Sequence, residues 1–349
     1  MPNAKSFDAA KKRSDEIRAD FAVNPGRYRM LTGDRPTGRL HLGHYFGTLA
    51  GRVELQDMGV PTMIVIADYQ VITDRDTTGA IADNVLNMVI DYLACGIDPA
   101  RTTIYTHSSV PEQNQLMLPF LSLVSEAELE RNPTVKAEQE ASGHTLTGLL
   151  LTYPVHQATD ILFCKGNVVP VGTDQLPHIE MTRTIARRFN ERYAPVFPEP
   201  DAVLSDAVLV PGLDGRKMSK SYGNGISISM TADETAKLIK KSPTDSDRHI
   251  TFDPDSRPGV SALLTTAALC CGRSERELAD EIGDGGGGAL KALVTEAVNE
   301  RFAPIRARRT ELESDPGYVR QVLADGNARA REIATETLGE VQRAMGMCW

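Results

Sequence analysis

The feature that most constrains this chain is the unbroken apolar run Val60-Pro61-Thr62-Met63-Ile64-Val65-Ile66-Ala67, which ends on Asp68. A strand with one face in water alternates apolar and polar residues. A run of strand length with no alternation is buried on both faces, as in a parallel sheet sandwiched between helices. The neighbouring segments supply the other elements. Tyr28 to Thr32 reads as a strand, Gly33 to Gly38 as a tight turn and His41 to Met58 as a helix; Ile81 to Cys95 is helical by spacing, and Thr102 to Thr106 is strand-like. A second half follows. Thr152 is read as the cap of a helix with Pro154 in its first turn, residues 167–171 as a strand, and Gln175 to Tyr193 as a helix. Open sheets of this kind bind ligands at the carboxyl ends of their strands, near the point where strand order reverses.

Around that sheet the expected organisation is a helical extension over 1–27, a catalytic domain over 28–224 with a polar helical insertion at about 111–148, and an all-helical domain over 225–349. The run Gly285-Gly286-Gly287-Gly288 reads as a turn within the last of these. No apolar run reaches bilayer length, and the charged, helix-prone N-terminal segment resembles neither a secretory nor a transit signal, so a cytoplasmic protein is expected. Five cysteines without CxxC spacing argue against a bound metal centre. A net charge of −9 does not suggest a nucleic-acid partner. Arginine is nevertheless dense at Arg183, Arg187, Arg188 and Arg192 and again at Arg301, Arg306, Arg308 and Arg309, where it would meet phosphates or simply face solvent.

Two motifs carry the chemistry. His41-Leu42-Gly43-His44 opens the helix after the first strand. A helix N-terminus attracts anions through its unpaired N–H groups, and imidazoles at i and i+3 share one face of the first turn. Gly43 clears space for a flat base. A cap or half a metal site would use the same residues, and taken alone the motif favours those readings. Roughly 170 residues later stands Lys217-Met218-Ser219-Lys220-Ser221, bracketed by Gly212, Gly215, Gly223 and Gly225. Two lysines and two hydroxyls in five residues suit the β- and γ-phosphates of ATP, and a loop that tightens as charge develops contributes to rate. A solvated basic turn is the alternative for the pentapeptide in isolation. The order and separation of the two motifs select the phosphate reading. In it a substrate carboxylate attacks the α-phosphate, and Mg²⁺ arrives with ATP.

On the helix beginning near residue 151, Tyr153, Gln157 and Asp160 share a face. A carboxylate there accepts hydrogen bonds only, so if it faces a ligand it selects one with an N–H or O–H donor, whereas taken alone a capping or salt-bridged Asp160 is the favoured reading. A site built on such a bond rejects analogues lacking the donor by ~10⁴–10⁵.

The motif pair resembles the signature of class I aminoacyl-tRNA synthetases. Tyr-Pro-x-x-x-Ala-x-Asp-Ile-Leu at 153–162, Val-Pro-Val-Gly-x-Asp-Gln-x-x-His-x-Glu at 169–180, Gly-Ile-Asp-Pro at 96–99 and Ser-Pro-Thr-Asp-Ser at 242–246 narrow the resemblance to bacterial tryptophanyl-tRNA synthetases, from about Tyr28 to Gly346. The resemblance implies a Rossmann-like parallel sheet, a tryptophan–tRNA ligase that uses ATP and Mg²⁺ and releases AMP, a homodimer, and tRNA(Trp) read by the C-terminal helices. It implies His41, His44, Lys217 and Lys220 as catalytic groups. It places ATP against Asp34, Arg35, Pro36, Gly43, His44, Gly172, Thr173, Asp174, Leu209, Lys217, Met218, Ser219, Lys220 and Ser221. L-Tryptophan would meet Leu31, Gly33, Gln70, Tyr153, Gln157, Asp160, Val169, Val171 and Gln175, with Asp160 on the indole nitrogen.

The chain departs from the commonest bacterial pattern around the amino-acid pocket: His156-Gln157 stands for Leu-Met, Gln70 for histidine, Leu31 for phenylalanine, and Asn132-Pro133-Thr134-Val135 for Met-Thr-Gln-Phe. This resembles the divergent, second-copy type of the enzyme, and it would weaken tryptophan-mimicking inhibitors or admit a modified indole. The competing expectations are a tyrosine-specific synthetase, whose tyrosine-reading residues do not appear, a small-molecule adenylyltransferase, and a non-catalytic paralogue handling tryptophan analogues or a partner.

Overall fold

The structure, a computed structural model, describes residues 4–73, 80–142, 145–204, 210–216, 218 and 222–348. In chain order the first half comprises α1 (Ala4–Phe21), β1 (Met30–Asp34), α2 (Leu42–His44), a π-helical turn (Tyr45–Leu49), α3 (Ala50–Asp57), β2 (Thr62–Ile66), α4 (Ile81–Ala94) and β3 (Thr102–Thr106). Four short helices follow, α5 (Pro111–Gln115), α6 (Met117–Leu121), α7 (Glu126–Glu130) and α8 (Pro133–Ser142). The second half is α9 (Gly148–Leu162), β4 (Val168–Val171), α10 (Leu176–Arg192) and β5 (Asp201–Leu204). The remainder is helical: α11 (Ala232–Lys241), α12 (Pro258–Cys271), α13 (Glu275–Ile282), α14 (Gly286–Ser314) and α15 (Pro316–Ala344).

The five strands form one parallel sheet in the order β3-β2-β1-β4-β5. All five residues of β2 are buried, as its apolar run requires. Ile64 and Ile66 face a core built with α4, α12 and α14, whereas Met63 and Val65 face a second core built with α9, α10 and α15. Helices beyond residue 225 therefore complete both cores: Leu290, Val294, Val298 and Phe302 of α14 join the first, and Ala330, Ala334 and Val341 of α15 the second.

Edge strands expose unpaired backbone groups, and both edges here are sealed. On β5, the backbone N–H of Leu204 donates to Ser14 Oγ of α1 at 2.9 Å. On β3, the N–H of Thr106 donates to Asn327 Oδ1 of α15 at 2.9 Å. Gly326 permits that docking, because a Cβ there would lie 1.8 Å from the Ile104 carbonyl oxygen.

Several elements differ from the sequence reading. β5 escapes it because four residues directly after Pro200 carry little pattern. α9 starts earlier than expected. Thr147 is its cap, accepting from the Leu150 N–H at 3.1 Å, while Thr152 Oγ1 donates to the Gly148 carbonyl at 2.7 Å and Pro154 lies inside the helix. The cause is Leu149-Leu150-Leu151, which carries the apolar face upstream and buries Leu150. The glycine run also divides, since Gly283–Gly285 form a turn and Gly286 begins α14. Among the described residues no helix is long and apolar enough to cross a membrane.

Candidate active site

The strand pairing itself opens the site. β1 pairs with β2 along five residues but meets β4 only at Met30 and Val168. Beyond that point the two strands diverge towards their carboxyl ends, at the reversal of strand order. A cavity of about 660 Å³ occupies the crevice. All nine residues expected to meet the amino acid line it: Leu31, Gly33, Gln70, Tyr153, Gln157, Asp160, Val169, Val171 and Gln175. Of the residues expected to meet ATP, Asp34, Arg35 and Gly172 line it too, whereas Pro36, Gly43, His44, Thr173, Asp174 and Met218 lie outside it. Leu209, Lys217, Ser219, Lys220 and Ser221 fall outside the described residues.

The histidine pair is built by capping. His41 is the N-cap of α2: its Nδ1 accepts from the Gly43 N–H at 3.1 Å, and His44 Nδ1 accepts from the His41 N–H at 3.2 Å. The ring centroids lie 3.8 Å apart. A ring nitrogen that accepts carries no proton, so each neutral imidazole holds its proton on Nε2. The capping reading and the anion-binding reading are thus compatible, because capping fixes the tautomer that presents two N–H donors.

The segment that follows the second motif is paired with the first through its backbone. The Leu42 N–H donates to the Ile226 carbonyl and the Ile228 N–H to the Leu40 carbonyl, each at 3.0 Å, with an antiparallel bridge from His41 to Ser227. Met218 is 7% exposed and packs in the seam. A Cβ on Gly43 would sit 3.6 Å from its Sδ, and a Cβ on Gly225 would sit 2.9 Å from its Cγ and 3.7 Å from His41 Cβ. Met218, the described residue of the pentapeptide, therefore packs against the histidine turn.

Asp34 is held from within the fold. Its carboxylate accepts from Arg52 at 2.6 Å and from the Tyr92 hydroxyl at 2.6 Å. Burial pushes its pKa up, but Arg52 and then Tyr92 outweigh that and hold it at about 2. It enters the site as the fixed end of β1, with its charge already neutralised.

At the amino-acid end, Asp160 is 3% exposed. Gln113 Nε2 donates to its Oδ1, and His107 Nε2 lies 3.0 Å from the same oxygen, off the N–H line. His107 stacks edge-on against His156 at 4.7 Å, and His156 Nε2 pairs with Asn114 Oδ1 at 2.7 Å. Burial lowers the pKa of His107, yet Asp160 more than offsets it and the net shift is upward; burial lowers that of His156. Tyr153 bonds through its hydroxyl to His178 Nε2 at 3.1 Å, and burial lowers the pKa of His178 to about 4. His107, Gln113 and His178 had not been singled out from the sequence. His178 stood within a quoted motif, whereas only tertiary contact reveals the other two. Among the described residues, His107, His156 and Asp160 are the one group of His, Cys, Asp or Glu side chains close enough to share a metal ion.

The arginine-dense segments are engaged by other side chains. Arg183 and Arg187 pair with Glu199, Arg188 with Glu128, Arg308 with Glu311, and Arg309 with buried Asp91. Arg301 donates to the Tyr45 hydroxyl at 3.0 Å, directly after His44.

A parallel sheet opened at its switch point, with a capped histidine pair just after β1, is an α/β architecture of the kind that binds nucleotides. The family model of tRNA synthetases class I (W and Y) matches residues 24–303, and the chain belongs to that family. Its relatives include the tryptophan–tRNA ligase of Streptococcus pneumoniae serotype 4, 41% identical over 332 residues covering 91% of this chain and 97% of the relative. The Streptococcus pyogenes serotype M1 tryptophan–tRNA ligase is 42% identical over 332 residues, covering 91% and 98%. Among solved structures, tryptophanyl-tRNA synthetase from Campylobacter jejuni complexed with ADP and tryptophan superposes with a TM-score of 0.81 at 31% identity, covering 91% of this chain and 99% of that one.

Proposed function

We propose that this chain is a tryptophan–tRNA ligase. It activates L-tryptophan with ATP, releasing pyrophosphate, and transfers the tryptophanyl group from the adenylate to the 2′-hydroxyl of the terminal adenosine of tRNA(Trp), releasing AMP. The observation that carries this reading is the convergence of nine residues, from β1, the segment after β2, α9, β4 and the turn before α10, on one cavity with Asp160 in its wall. Val169, Val171 and Leu31 give apolar walls to an indole ring, and Asp160 is its hydrogen-bond acceptor. Tyr153 and Gln175 address the ammonium and carboxylate, while Gln157, Gln70 and Gly33 complete the lining.

In the first step the tryptophan carboxylate oxygen attacks the α-phosphorus as the bond to the bridging oxygen of pyrophosphate breaks. No protein nucleophile is needed; positioning and neutralisation of charge do the work. His41 and His44 present Nε2–H donors to the phosphates. Lys217 and Lys220 meet the leaving pyrophosphate, with Met218, Ser219 and Ser221 completing the loop. Asp34, Arg35, Pro36, Gly43, Gly172, Thr173, Asp174 and Leu209 form the rest of the nucleotide site. Mg²⁺ enters as the ATP complex and is held mainly by phosphate oxygens.

Residues 225–349 are the part that addresses tRNA, the active form is a homodimer, and the cytoplasm is its compartment. Charging of purified tRNA(Trp) with labelled tryptophan tests the reading. Acylation that requires ATP and Mg²⁺ supports it; charging of tRNA(Tyr) instead, or of neither, overturns it.

A further inference from the structure

The Asp160 carboxylate is held from behind by residues that do not line the cavity. His107 lies at the carboxyl end of β3 and Gln113 in α5, both wholly buried. Gln113 Nε2 donates to Oδ1 and the His107 ring packs against that same oxygen, which leaves Oδ2 as the acceptor for a ligand. Asp160 lines the cavity, and neither of the other two does. A buried imidazole is costly unless its nitrogens are satisfied. Here Nε2 sits 3.0 Å from Oδ1 but off its N–H line, and Nδ1 has no partner among the described residues. Gln113 Oε1 and the Tyr105 hydroxyl are likewise buried and unpartnered there. His156 closes the other side of the His107 ring.

We infer that His107, with Gln113, is a specificity-positioning residue: it fixes the orientation of Asp160 so that Oδ2 meets the indole N–H, and so sets discrimination against ring systems lacking that donor. The inference rests on Asp160 being the indole acceptor. His107 touches no substrate. An unrestrained carboxylate would rotate about its χ2 bond and lose the aligned, charge-assisted hydrogen bond, which contributes about 10- to 100-fold in selectivity.

The test is amino-acid-dependent ATP–pyrophosphate exchange with the full chain, comparing tryptophan with its benzothiophene analogue, in which sulfur replaces the N–H. Wild type, His107→Leu and His107→Gln are measured in parallel, since the glutamine amide places a donor where Nε2 stood. The expected result is that His107→Leu lowers kcat/KM for tryptophan about 10- to 100-fold while changing that for the sulfur analogue less than about threefold. His107→Gln should restore most of the discrimination. If the leucine variant loses both substrates in equal proportion, or keeps wild-type discrimination, or glutamine fails to rescue, the positioning role is overturned. Wild type that does not prefer tryptophan to the sulfur analogue would instead overturn the reading of Asp160 itself.

Discussion

Placing one methyl group in the seam between the two phosphate motifs would separate them. In Gly225→Ala the new Cβ would lie 2.9 Å from Met218 Cγ, closer than real Cβ atoms approach a neighbour, and 3.7 Å from His41 Cβ. Met218 Cγ is in the middle of a buried side chain wedged beside Gly43, so the methionine must leave its rotamer or the loop must lift from the histidine turn. Overpacking of this kind costs about 1–3 kcal/mol. If that cost falls on the arrangement proposed for catalysis, the rate falls by about 5- to 150-fold. The amino-acid cavity is lined by neither Gly225 nor Met218, so tryptophan affinity should change little. Pyrophosphate exchange under saturating tryptophan, with ATP varied, reads the loss, and tryptophan binding measured by calorimetry reads the control. Met218→Ala removes the clashing atom. In the double variant Gly225→Ala/Met218→Ala the penalty should fall below the sum of the single effects. Unchanged exchange in Gly225→Ala, or strictly additive effects in the double variant, would refute the packing argument.

Arg52→Met would strand the Asp34 carboxylate and should destabilise the protein by about 3–5 kcal/mol; Arg52→Met/Asp34→Leu should recover much of this, and a single-variant loss under about 1 kcal/mol in thermal or urea unfolding would contradict it. His178 has a folded pKa of about 4 against 6.5 unfolded. The unfolded chain therefore binds the extra proton first as pH falls, and up to about 3 kcal/mol of stability is lost between 6.5 and 4. Melting temperature against pH should fall less steeply in His178→Gln. Gly326→Val drives a Cβ into the Ile104 carbonyl and should loosen α15 from β3, seen as faster amide exchange at Thr106; unchanged protection there would contradict the edge-sealing role. Gln70→His/Gln157→Met should change sensitivity to tryptophan-mimicking inhibitors, and identical inhibition in variant and parent would remove these two glutamines as its cause.

The sequence made the sheet and the cavity walls legible because both depend on short-range pattern. Burial on both faces leaves its trace in Met63 to Ile66, and residues on one face of α9 and β4 keep their spacing wherever they point. Long-range partnerships leave no such trace. Ser14 and Asn327 look like ordinary helix-surface residues until each is found capping an edge strand. Gln113 and His107 are legible only as neighbours of Asp160 in space. Asp34 read as a nucleotide contact because its place at the end of β1 is visible, whereas its partners Arg52 and Tyr92 come from two separate helices. The intramolecular partners of the arginine clusters were not legible either, since several of them are remote in sequence.

The measurement that tests the central claim most directly is ATP–pyrophosphate exchange without tRNA, comparing tryptophan with tyrosine in wild type and in Asp160→Ala. The account predicts exchange that depends on tryptophan, is absent with tyrosine and collapses in the variant. Exchange supported equally by tyrosine, or undiminished in Asp160→Ala, would contradict it.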